Sequence, residues 1–202
     1  MKTLRFAHLS DSHLPAGQPG GTLAKALAAG CDPQRALALC LEQLAAEPPD
    51  FLLLTGDLVH EGAARDYAAL RARLERTLPG VPVAAALGNH DRRAAFRQGF
   101  LGLAGEDDGP YYAEAMVEGL RLLSLDSAHA LGMKGALEEE QLRWLEERLA
   151  APAPRGTALL LHHPIMQRVG PMGLPLCPRL RAALAGGEVR AIFNGHIHGA
   201  FA

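Results

Sequence analysis

Short apolar runs that end directly in Asp, Asn or His constrain the fold of this 202-residue chain more than any other feature. The clearest run, at residues 51–54, lies between a Pro-Pro-Asp turn and a glycine, and Asp57 follows it. A continuous apolar run of this length is typical of a strand that is buried on both faces. Ligands of open α/β sheets bind outside the carboxyl ends of the strands, so Asp57 is a candidate site residue.

Four other predicted strands end in the same way, at residues 4–9, 81–87, 158–161 and 189–193. They lead into Ser10-Asp11-Ser12-His13, Gly88-Asn89-His90-Asp91, His162-His163-Pro164 and Gly195-His196-Ile197-His198. Five strand ends that carry Asp, Asn or His can converge on one site. The repetition carries this interpretation, because no single motif among them is specific enough.

Helical patterns alternate with the strands. Asp32-Pro33 is a good helix start, since Asp caps the first turn and Pro fits the first helical position. Further helices are predicted at residues 63–78, 92–101, 138–149 and 179–185, and a hairpin at 111–116 and 120–125 with its turn near Glu118-Gly119. Gly- and Pro-rich loops are predicted at 15–21 and 167–178. The pattern predicts an α/β fold with a mixed sheet packed by helices, or two such sheets face to face.

Length and composition favour a single cytoplasmic domain over residues 1–202, because this length is rather short for two domains. A net charge of −2 and a pI near 6.5 make nucleic acid an unfavoured partner. No apolar run has the length needed to span a membrane. Three cysteines without metal-like spacing, and an amino terminus without a secretory signal, indicate a reducing compartment.

The candidate ligands are carboxylate, amide and imidazole groups: Asp11, His13, Asp57, Asn89, His162, His196 and His198. Such a mixture suits Mn²⁺, Fe²⁺ and Zn²⁺ better than Ca²⁺ or Mg²⁺. Seven groups are too many for one such ion, but they fit two ions that share a carboxylate. Two metals roughly 3.5–4 Å apart can bind a substrate oxygen and a hydroxide for in-line attack on phosphorus. The absence of cysteine from the set argues against a structural zinc site.

The five motifs, in this order from residue 11 to residue 198, resemble the signature of the calcineurin-like metallophosphoesterases. The segments at 53–59, 87–91 and 122–127 are most similar to the class III cyclic-nucleotide phosphodiesterase-like branch. The resemblance implies an αββα sandwich with the metal site at the C-terminal ends of the strands. That branch continues past Gly-His-x-His, so we expect the family's C-terminal strands to be truncated here or supplied by a partner chain. An exposed sheet edge would favour a homodimer.

The resemblance also implies two divalent metal ions, as Mn²⁺, Fe²⁺/Fe³⁺ or Zn²⁺, and a role for each ligand. The first metal would be bound by Asp11, His13 and His198, the second by Asn89, His162 and His196, and both by Asp57. His163 is the alternative to His162.

A metal-bound hydroxide is the implied nucleophile. His90 would contact the phosphate and protonate the leaving group, and Asp91 would orient His90. Asp126 is a candidate hydrogen-bond partner of a ligand histidine. Arg92, Arg93 and Arg168 are candidate phosphate contacts, although surface roles are commoner for arginine. His60 and His129 lie in predicted loops, where both surface and substrate-loop roles are open.

These expectations predict a dinuclear metal-dependent phosphoesterase that hydrolyses small phosphodiesters, 3′,5′-cyclic nucleotides among them. A nuclease or a lipid-linked pyrophosphate hydrolase with the same metals is the first alternative. The nuclease would need a basic groove with stacking aromatics and the pyrophosphate hydrolase an apolar cap. An aromatic content of 5% and the lack of a basic run encourage neither. The second alternative is a non-catalytic protein-binding scaffold.

Overall fold

A computed structural model describes residues 2–17, 20–128, 132–165 and 172–198, and the elements below lie in these ranges. The helices are α1 (Gly21–Ala28), α2 (Pro33–Ala46), α3 (Ala64–Thr77), α4 (Arg93–Gly99), α5 (Glu139–Ala150) and α6 (Pro178–Gly186). The strands are β1 (Phe6–Leu9), β2 (Leu14–Pro15), β3 (Phe51–Thr55), β4 (Val59–His60), β5 (Val83–Ala86), β6 (Ala113–Val117), β7 (Leu120–Ser124), β8 (Thr157–Leu160) and β9 (Val189–Phe193).

The strands form two larger sheets whose parallel strands point toward the same candidate site. The first sheet has the order β1-β3-β5 and is parallel throughout. The second has the order β6-β7-β8-β9, with β6 antiparallel to β7 and the other pairs parallel. Because parallel strands end at the same edge, the motifs that follow them are brought together.

The two sheets pack face to face through small and medium apolar side chains. Phe51 and Leu53 of β3 contact this inner layer, which also contains Leu122 of β7 and Leu160 of β8. The alternate residues of β3, Leu52 and Leu54, point to the opposite face and belong to another apolar cluster. The prediction that β3 is buried on both faces is therefore confirmed.

Helices cover the outer face of each sheet. Leu41 of α2 and Tyr67 and Leu74 of α3 pack against the first sheet. Leu142 and Leu145 of α5 pack on the second sheet, in a cluster that also contains residues of β8 and α6. The four layers confirm the αββα sandwich.

Local signals in the sequence set several element boundaries. The Asp32 carboxylate accepts a hydrogen bond from the Arg35 backbone N–H at 2.9 Å, which caps α2 as predicted. In the predicted hairpin, Glu118 and Gly119 have φ angles of 49° and 85°. Two consecutive residues with positive φ are the signature of a tight two-residue turn that matches the twist of the flanking strands.

Two features were not predicted. Helix α1 begins at Gly21, the last residue of the loop predicted at residues 15–21. Strands β2 and β4 form a separate parallel pair in which Leu14 is opposite Val59. Each strand has two residues, too few to show an alternating pattern.

The sequence predicts that no segment is long and apolar enough to span a membrane, and the helices of the described residues bear on this point. None of them is both long enough and apolar enough to cross a bilayer.

Candidate metal centre

The motifs at the strand ends converge, and Asp57 lies at their centre. Asp57 follows β3, the middle strand of the first sheet, and is 2% exposed. Two groups of ligand atoms share it, and within each group all of the atoms lie within 4.8 Å of one another. The first group contains Asp11, His13, Asp57 and His198, and the second contains Asp57, His162 and His196.

The nitrogens and oxygens of the first group face a common point. His13 Nε2 lies 3.4 Å from Asp57 Oδ2 and 3.2 Å from His198 Nε2. His198 Nε2 lies 3.4 Å from Asp11 Oδ1. These distances are short for atoms that carry lone pairs. A cation between the two imidazole nitrogens would attract both lone pairs and so offset the repulsion between them.

The second group is held by hydrogen bonds on its outer side. His162 Nδ1 lies 2.8 Å from the Thr55 carbonyl oxygen, and His196 Nε2 lies 3.0 Å from the Met133 carbonyl oxygen. A carbonyl only accepts, so both of these nitrogens carry the proton. The other nitrogens, His162 Nε2 and His196 Nδ1, are 3.2 Å apart, and they carry the lone pairs when both rings are neutral. His162 Nε2 is also 3.3 Å from Asp57 Oδ2.

Asn89 is the amide that the sequence predicts as a further ligand of the second metal. Asn89 is buried, and its Oδ1 atom has no hydrogen-bond partner among the described residues. A buried amide oxygen without a partner costs roughly 1–3 kcal/mol, so its presence requires an explanation. A cation ligand is the explanation that fits the neighbouring carboxylates and imidazoles.

The backbone is strained at the same positions. Five of the expected ligands have positive φ although none is glycine, with angles from 39° to 71°: Asp11, His13, Asp57, His196 and His198. Residues of this kind cost about 1–3 kcal/mol each and cluster at functional sites. The strain aims successive side chains of each motif at one point.

Two glycines allow the loops after β3 and β5 to touch. A Cβ atom on Gly88 would lie 2.2 Å from Asp57 Oδ1, and one on Gly56 would lie 2.6 Å from the Gly88 backbone nitrogen. Neither position tolerates a side chain without a shift of the backbone. The Gly-Asp and Gly-Asn-His-Asp motifs therefore need their glycines for close approach as well as for turning.

The electrostatics of the cluster keep its carboxylates ionised. Burial raises the pKa of Asp57, but hydrogen bonds and nearby positive charge, chiefly those of His162, outweigh burial and lower it. The pKa of Asp11 is also lowered, since hydrogen bonds from His198 and Ser10 outweigh its burial. Burial lowers the pKa of His13 to about 4, so this ring is neutral at neutral pH. Neutral imidazole and ionised carboxylate are the forms that bind metals.

His163, the alternative to His162, points elsewhere. Its Nδ1 lies 3.0 Å from Ser127 Oγ, and the same hydroxyl oxygen accepts a hydrogen bond from the His163 backbone N–H. Burial lowers the pKa of His163 to about 3. The structure thus places His162, and not His163, in the ligand group with Asp57.

His90 lies beside the first group and belongs to neither. Its ring centroid is 5.3 Å from that of His13, and its side chain is partly exposed. Its backbone N–H donates to Asp57 Oδ1 at 2.9 Å, which ties the loop after β5 to the centre. The Nδ1 atom of His90 is buried and has no hydrogen-bond partner among the described residues.

Asp91, which is expected to orient His90, makes no side-chain hydrogen bond to the His90 ring among the described residues. The Asp91 carboxylate accepts hydrogen bonds from the backbone N–H groups of Leu58, Val59 and Gly88, at 2.9–3.2 Å, and from the Tyr67 hydroxyl at 2.9 Å. These donors occupy both oxygens of the carboxylate. Asp91 instead binds the loop after β3 to the loop after β5.

Asp126 and Arg93 also differ from their expected roles. Asp126 Oδ2 lies 2.9 Å from Arg93 Nε, and Asp126 also accepts from the backbone N–H groups of Tyr111 and Ala128. Asp126 therefore contacts no ligand histidine among the described residues, and the Arg93 guanidinium is engaged in this structural ion pair. Arg92 remains largely exposed. His129 and Arg168 lie outside the described residues.

His60 was predicted to lie in a loop near the active end with a surface or a substrate-loop role, and the structure places it against the centre. Its Nδ1 is 3.2 Å from His13 Nδ1, and its ring stacks on that of His90 with centroids 4.3 Å apart. With Glu61 and His90 it forms a third group of potential ligands. Its position depends on the β2–β4 pair, which gave no pattern in the sequence.

Comparisons with known proteins identify the family of the chain. A model of the family described as "Calcineurin-like phosphoesterase" matches residues 4–200. The chain is 36% identical over 203 residues to a cAMP/cGMP dual specificity phosphodiesterase of Mycobacterium tuberculosis, covering 95% of this chain and 60% of the relative. It is 31% identical over 205 residues to the 3′,5′-cyclic adenosine monophosphate phosphodiesterase CpdA of Pseudomonas aeruginosa, covering 97% of this chain and 70% of the relative.

Solved structures show the same fold at low identity. A dimetal phosphatase from Danio rerio superposes with a TM-score of 0.63 at 15% identity, covering 96% of this chain and 82% of that one. The chain spans 60% of the length of its mycobacterial relative, so it matches a part of that protein and not the whole. With the family match extending over residues 4–200, the chain belongs to the calcineurin-like phosphoesterase family.

Proposed function

We propose that this chain hydrolyses small phosphodiesters at a centre that holds two divalent metal ions. The observation that carries the proposal is the sharing of Asp57 between two groups of ligand atoms. The names of the relatives, which include cyclic-nucleotide phosphodiesterases, support 3′,5′-cyclic nucleotides as the substrate class. The ligand chemistry supports Mn²⁺, Fe²⁺/Fe³⁺ or Zn²⁺ as the metals.

The proposed ligand roles follow the two groups. Asp11, His13 and His198 hold the first ion, His162 and His196 hold the second together with Asn89, and Asp57 contributes to both. When bound, such ions supply Lewis-acid activation of water and neutralisation of phosphate charge. The chain contributes ionised carboxylates together with imidazoles, and backbone carbonyls already fix the tautomers of His162 and His196.

His90 is proposed to donate a proton to the leaving oxygen of the substrate. It lies next to His13 without being part of either ligand group, and its ring is partly exposed, so a substrate can reach it. A positioned general acid contributes roughly 100- to 10,000-fold to the rate of such a step. Asp91 is proposed to support this role indirectly, by fixing the loop that carries His90.

A groove of about 460 Å³ adjoins the centre and supports a small substrate. Glu61, Asn89, Arg92 and Asp108 are among the residues that line it. The volume lies within the range of about 300–1,000 Å³ that is usual for small-molecule sites. The Arg92 side chain is 62% exposed beside this groove, and its loose ion pair with Glu61, at 3.8 Å, can give way to an anionic group of a substrate.

The test is hydrolysis of bis(p-nitrophenyl) phosphate by metal-stripped protein that has been refilled with Mn²⁺, alongside 3′,5′-cyclic AMP and a single-stranded oligonucleotide. We expect turnover of both small diesters that depends on Mn²⁺. Faster cleavage of the oligonucleotide would instead favour the nuclease alternative. An absence of both metal uptake and turnover would favour the protein-binding scaffold.

The test variant and its control lie at opposite ends of the same strand, β3. Asp57→Asn removes the shared carboxylate at the carboxyl end of β3, and we expect it to abolish turnover. Asp50→Asn removes a carboxylate just before the amino end of the same strand, where it pairs with Lys2 at 2.7 Å. Asp50→Asn should retain full activity. Equal activity in the two variants would contradict the proposed role of Asp57.

Two expectations from the sequence remain predictions. The homodimer is supported by β1, an outer strand of its sheet on which Phe6 is 44% exposed. Sedimentation equilibrium tests it, and a single monomeric species at micromolar concentration would contradict it. The cytoplasmic location can be tested by fractionation of cells that express the tagged chain.

A further inference from the structure

We propose that His60 is a positioning residue that accepts a hydrogen bond from His13 and holds the ring of His90 beside it. His60 would then join the first group of metal ligands to the proposed general acid. The inference rests on the proposed function, because it assigns His13 to a metal and His90 to the leaving group.

The geometry around His13 leaves one of its nitrogens for His60. His13 Nε2 faces the carboxylate of Asp57 at 3.4 Å and the ring of His198 at 3.2 Å. His13 Nδ1 lies on the other side of the ring, 3.2 Å from His60 Nδ1. Among the described residues, His60 is the hydrogen-bond partner found for this nitrogen.

The direction of the hydrogen bond follows from the chemistry of imidazole. When Nε2 of a neutral histidine gives its lone pair to a metal, Nδ1 must carry the proton. His13 Nδ1–H therefore donates, and His60 Nδ1 accepts. Metal-bound histidines nearly always donate their second N–H to a carboxylate, a carbonyl or water. Here a neutral imidazole takes the place of that acceptor.

The second contact of His60 is a stack. Its ring centroid lies 4.3 Å from that of His90, with an interplanar angle of 23°. The His13 ring packs against both, with centroids 5.4 Å from His60 and 5.3 Å from His90. One side chain therefore restrains a metal ligand and the proposed acid together.

The backbone fixes His60 independently of its side-chain contacts. His60 ends β4, which pairs with β2 directly after His13. The His13 backbone N–H donates to the Asp57 carbonyl oxygen at 2.8 Å, which sets the start of this pairing. The same short ladder thus determines the positions of both histidines.

The group of His60, Glu61 and His90 could also be considered as a third cation site. The stack argues against this, because nearly parallel rings direct their in-plane lone pairs side by side and not toward one point. In addition, Glu61 Oε2 lies 3.8 Å from the Arg92 guanidinium, whose positive charge opposes a cation there. The positioning role accounts for both contacts of His60 without a third ion.

Two substitutions separate the two contacts. His60→Asn keeps an acceptor, because its Oδ1 occupies the place of Nδ1, but it removes the ring. His60→Phe keeps a ring for the stack but removes the acceptor. The side chain is partly exposed, so both variants are expected to fold, and circular dichroism of the metal-free proteins checks this.

The measurements are the Mn²⁺ affinity of the weaker and the tighter site by calorimetry, and kcat and KM for bis(p-nitrophenyl) phosphate at saturating Mn²⁺. For His60→Phe we expect one site to weaken by roughly 10- to 100-fold, as is usual when the partner of a ligand histidine is lost. For His60→Asn we expect unchanged Mn²⁺ affinity and a fall in kcat of about tenfold with little change in KM, a fraction of the contribution of a general acid.

Wild-type affinity in His60→Phe would overturn the hydrogen-bond role, and wild-type kcat in His60→Asn would overturn the stacking role. The wild-type protein separates this inference from the proposed function. If the wild type binds no Mn²⁺ or hydrolyses no diester, the proposed function fails. If the wild type binds two ions and turns over while both variants match it, only the assignment of His60 fails.

Discussion

The Nδ1 atom of His162 lies 2.8 Å from the carbonyl oxygen of Thr55, so a side chain that follows the second sheet is fixed by the backbone of the first. The contact sets the tautomer of His162 and presents its Nε2 to Asp57. It also makes the site a product of the packing between sheets, since neither sheet carries a complete ligand group.

The neighbouring histidines should therefore respond differently to substitution. We expect His162→Ala to reduce bound Mn²⁺ from two ions to one or none, since it removes a nitrogen of the second group. His163→Gln should retain two ions but lower the free energy of unfolding by about 1–3 kcal/mol, because it disturbs a buried hydrogen bond with Ser127. Plasma mass spectrometry and urea denaturation measure the two effects. Loss of metal in His163→Gln with retention in His162→Ala would reverse the assignment.

The Tyr67 hydroxyl should contribute to stability more than to chemistry. It donates to Asp91 at 2.9 Å and accepts from the Arg92 backbone N–H at 2.9 Å. Tyr67→Phe leaves both partners without this oxygen, and we expect a loss of about 1.5–3 kcal/mol in the free energy of unfolding by urea. Tyr112→Phe, which removes an exposed hydrogen bond to Glu140, is the control and should cost under about 1 kcal/mol. Equal costs would refute the buried role of Tyr67.

Gly88→Ala should disable the centre without unfolding the protein. The added Cβ would lie 2.2 Å from Asp57 Oδ1 and 2.3 Å from the Asp57 backbone nitrogen, so the shared carboxylate must move. We expect Mn²⁺ uptake and diester hydrolysis to fall at least about tenfold. Gly186→Ala, at the end of α6 with open space around it, is the control and should keep full metal binding. Normal Mn²⁺ uptake by Gly88→Ala would show that the loops after β3 and β5 can accommodate the added Cβ without moving Asp57.

The packing between α5 and the second sheet should lose stability when Leu159 is truncated. This side chain is fully buried in the cluster that also contains Leu145. Leu159→Ala should lower the free energy of unfolding by about 2–5 kcal/mol, because it leaves a cavity in a close-packed core. Leu39→Ala changes a leucine that is 51% exposed and should cost far less. Urea titration of the metal-free proteins makes the comparison.

Removal of metal should lower thermal stability, since ions bind the folded cluster far better than the unfolded chain. At a Mn²⁺ concentration 100 times the dissociation constant, we expect about 2.7 kcal/mol of added stability. Differential scanning calorimetry with and without a chelator measures the shift in Tm. The shift should disappear in Asp57→Asn, and its persistence there would place the stabilising ions elsewhere.

The sequence was most informative where a residue type and a strand end coincide. Asp57, Asn89 and His162 could be placed at one edge because continuous apolar runs precede them and parallel strands share that edge. The φ preferences of Asp32-Pro33 and Glu118-Gly119 similarly predicted a cap and a turn, because both depend on local chemistry.

Contacts between distant loops could not be predicted in this way. The family resemblance implied that Asp91 orients His90, yet the Asp91 carboxylate accepts hydrogen bonds from the backbone of residues 58 and 59, which lie far from it in the chain. Strands β2 and β4 are too short to show a periodic pattern in the sequence. The contact between His60 and His13, which depends on this strand pair, could therefore not be predicted. Each of these contacts is decided by backbone geometry that forms only after the sheets have packed.

The backbone N–H of His196 donates to the carboxylate of Asp11 at 3.0 Å, across 185 positions of the chain. The consequence is one of timing during synthesis. Asp11 leaves the ribosome 185 residues before His196 and has to wait for that length of chain before its partner emerges. Until then the nascent chain carries the carboxylates of Asp11 and Asp57 without the imidazoles that follow β9, and these ligand groups come together only when β9 docks.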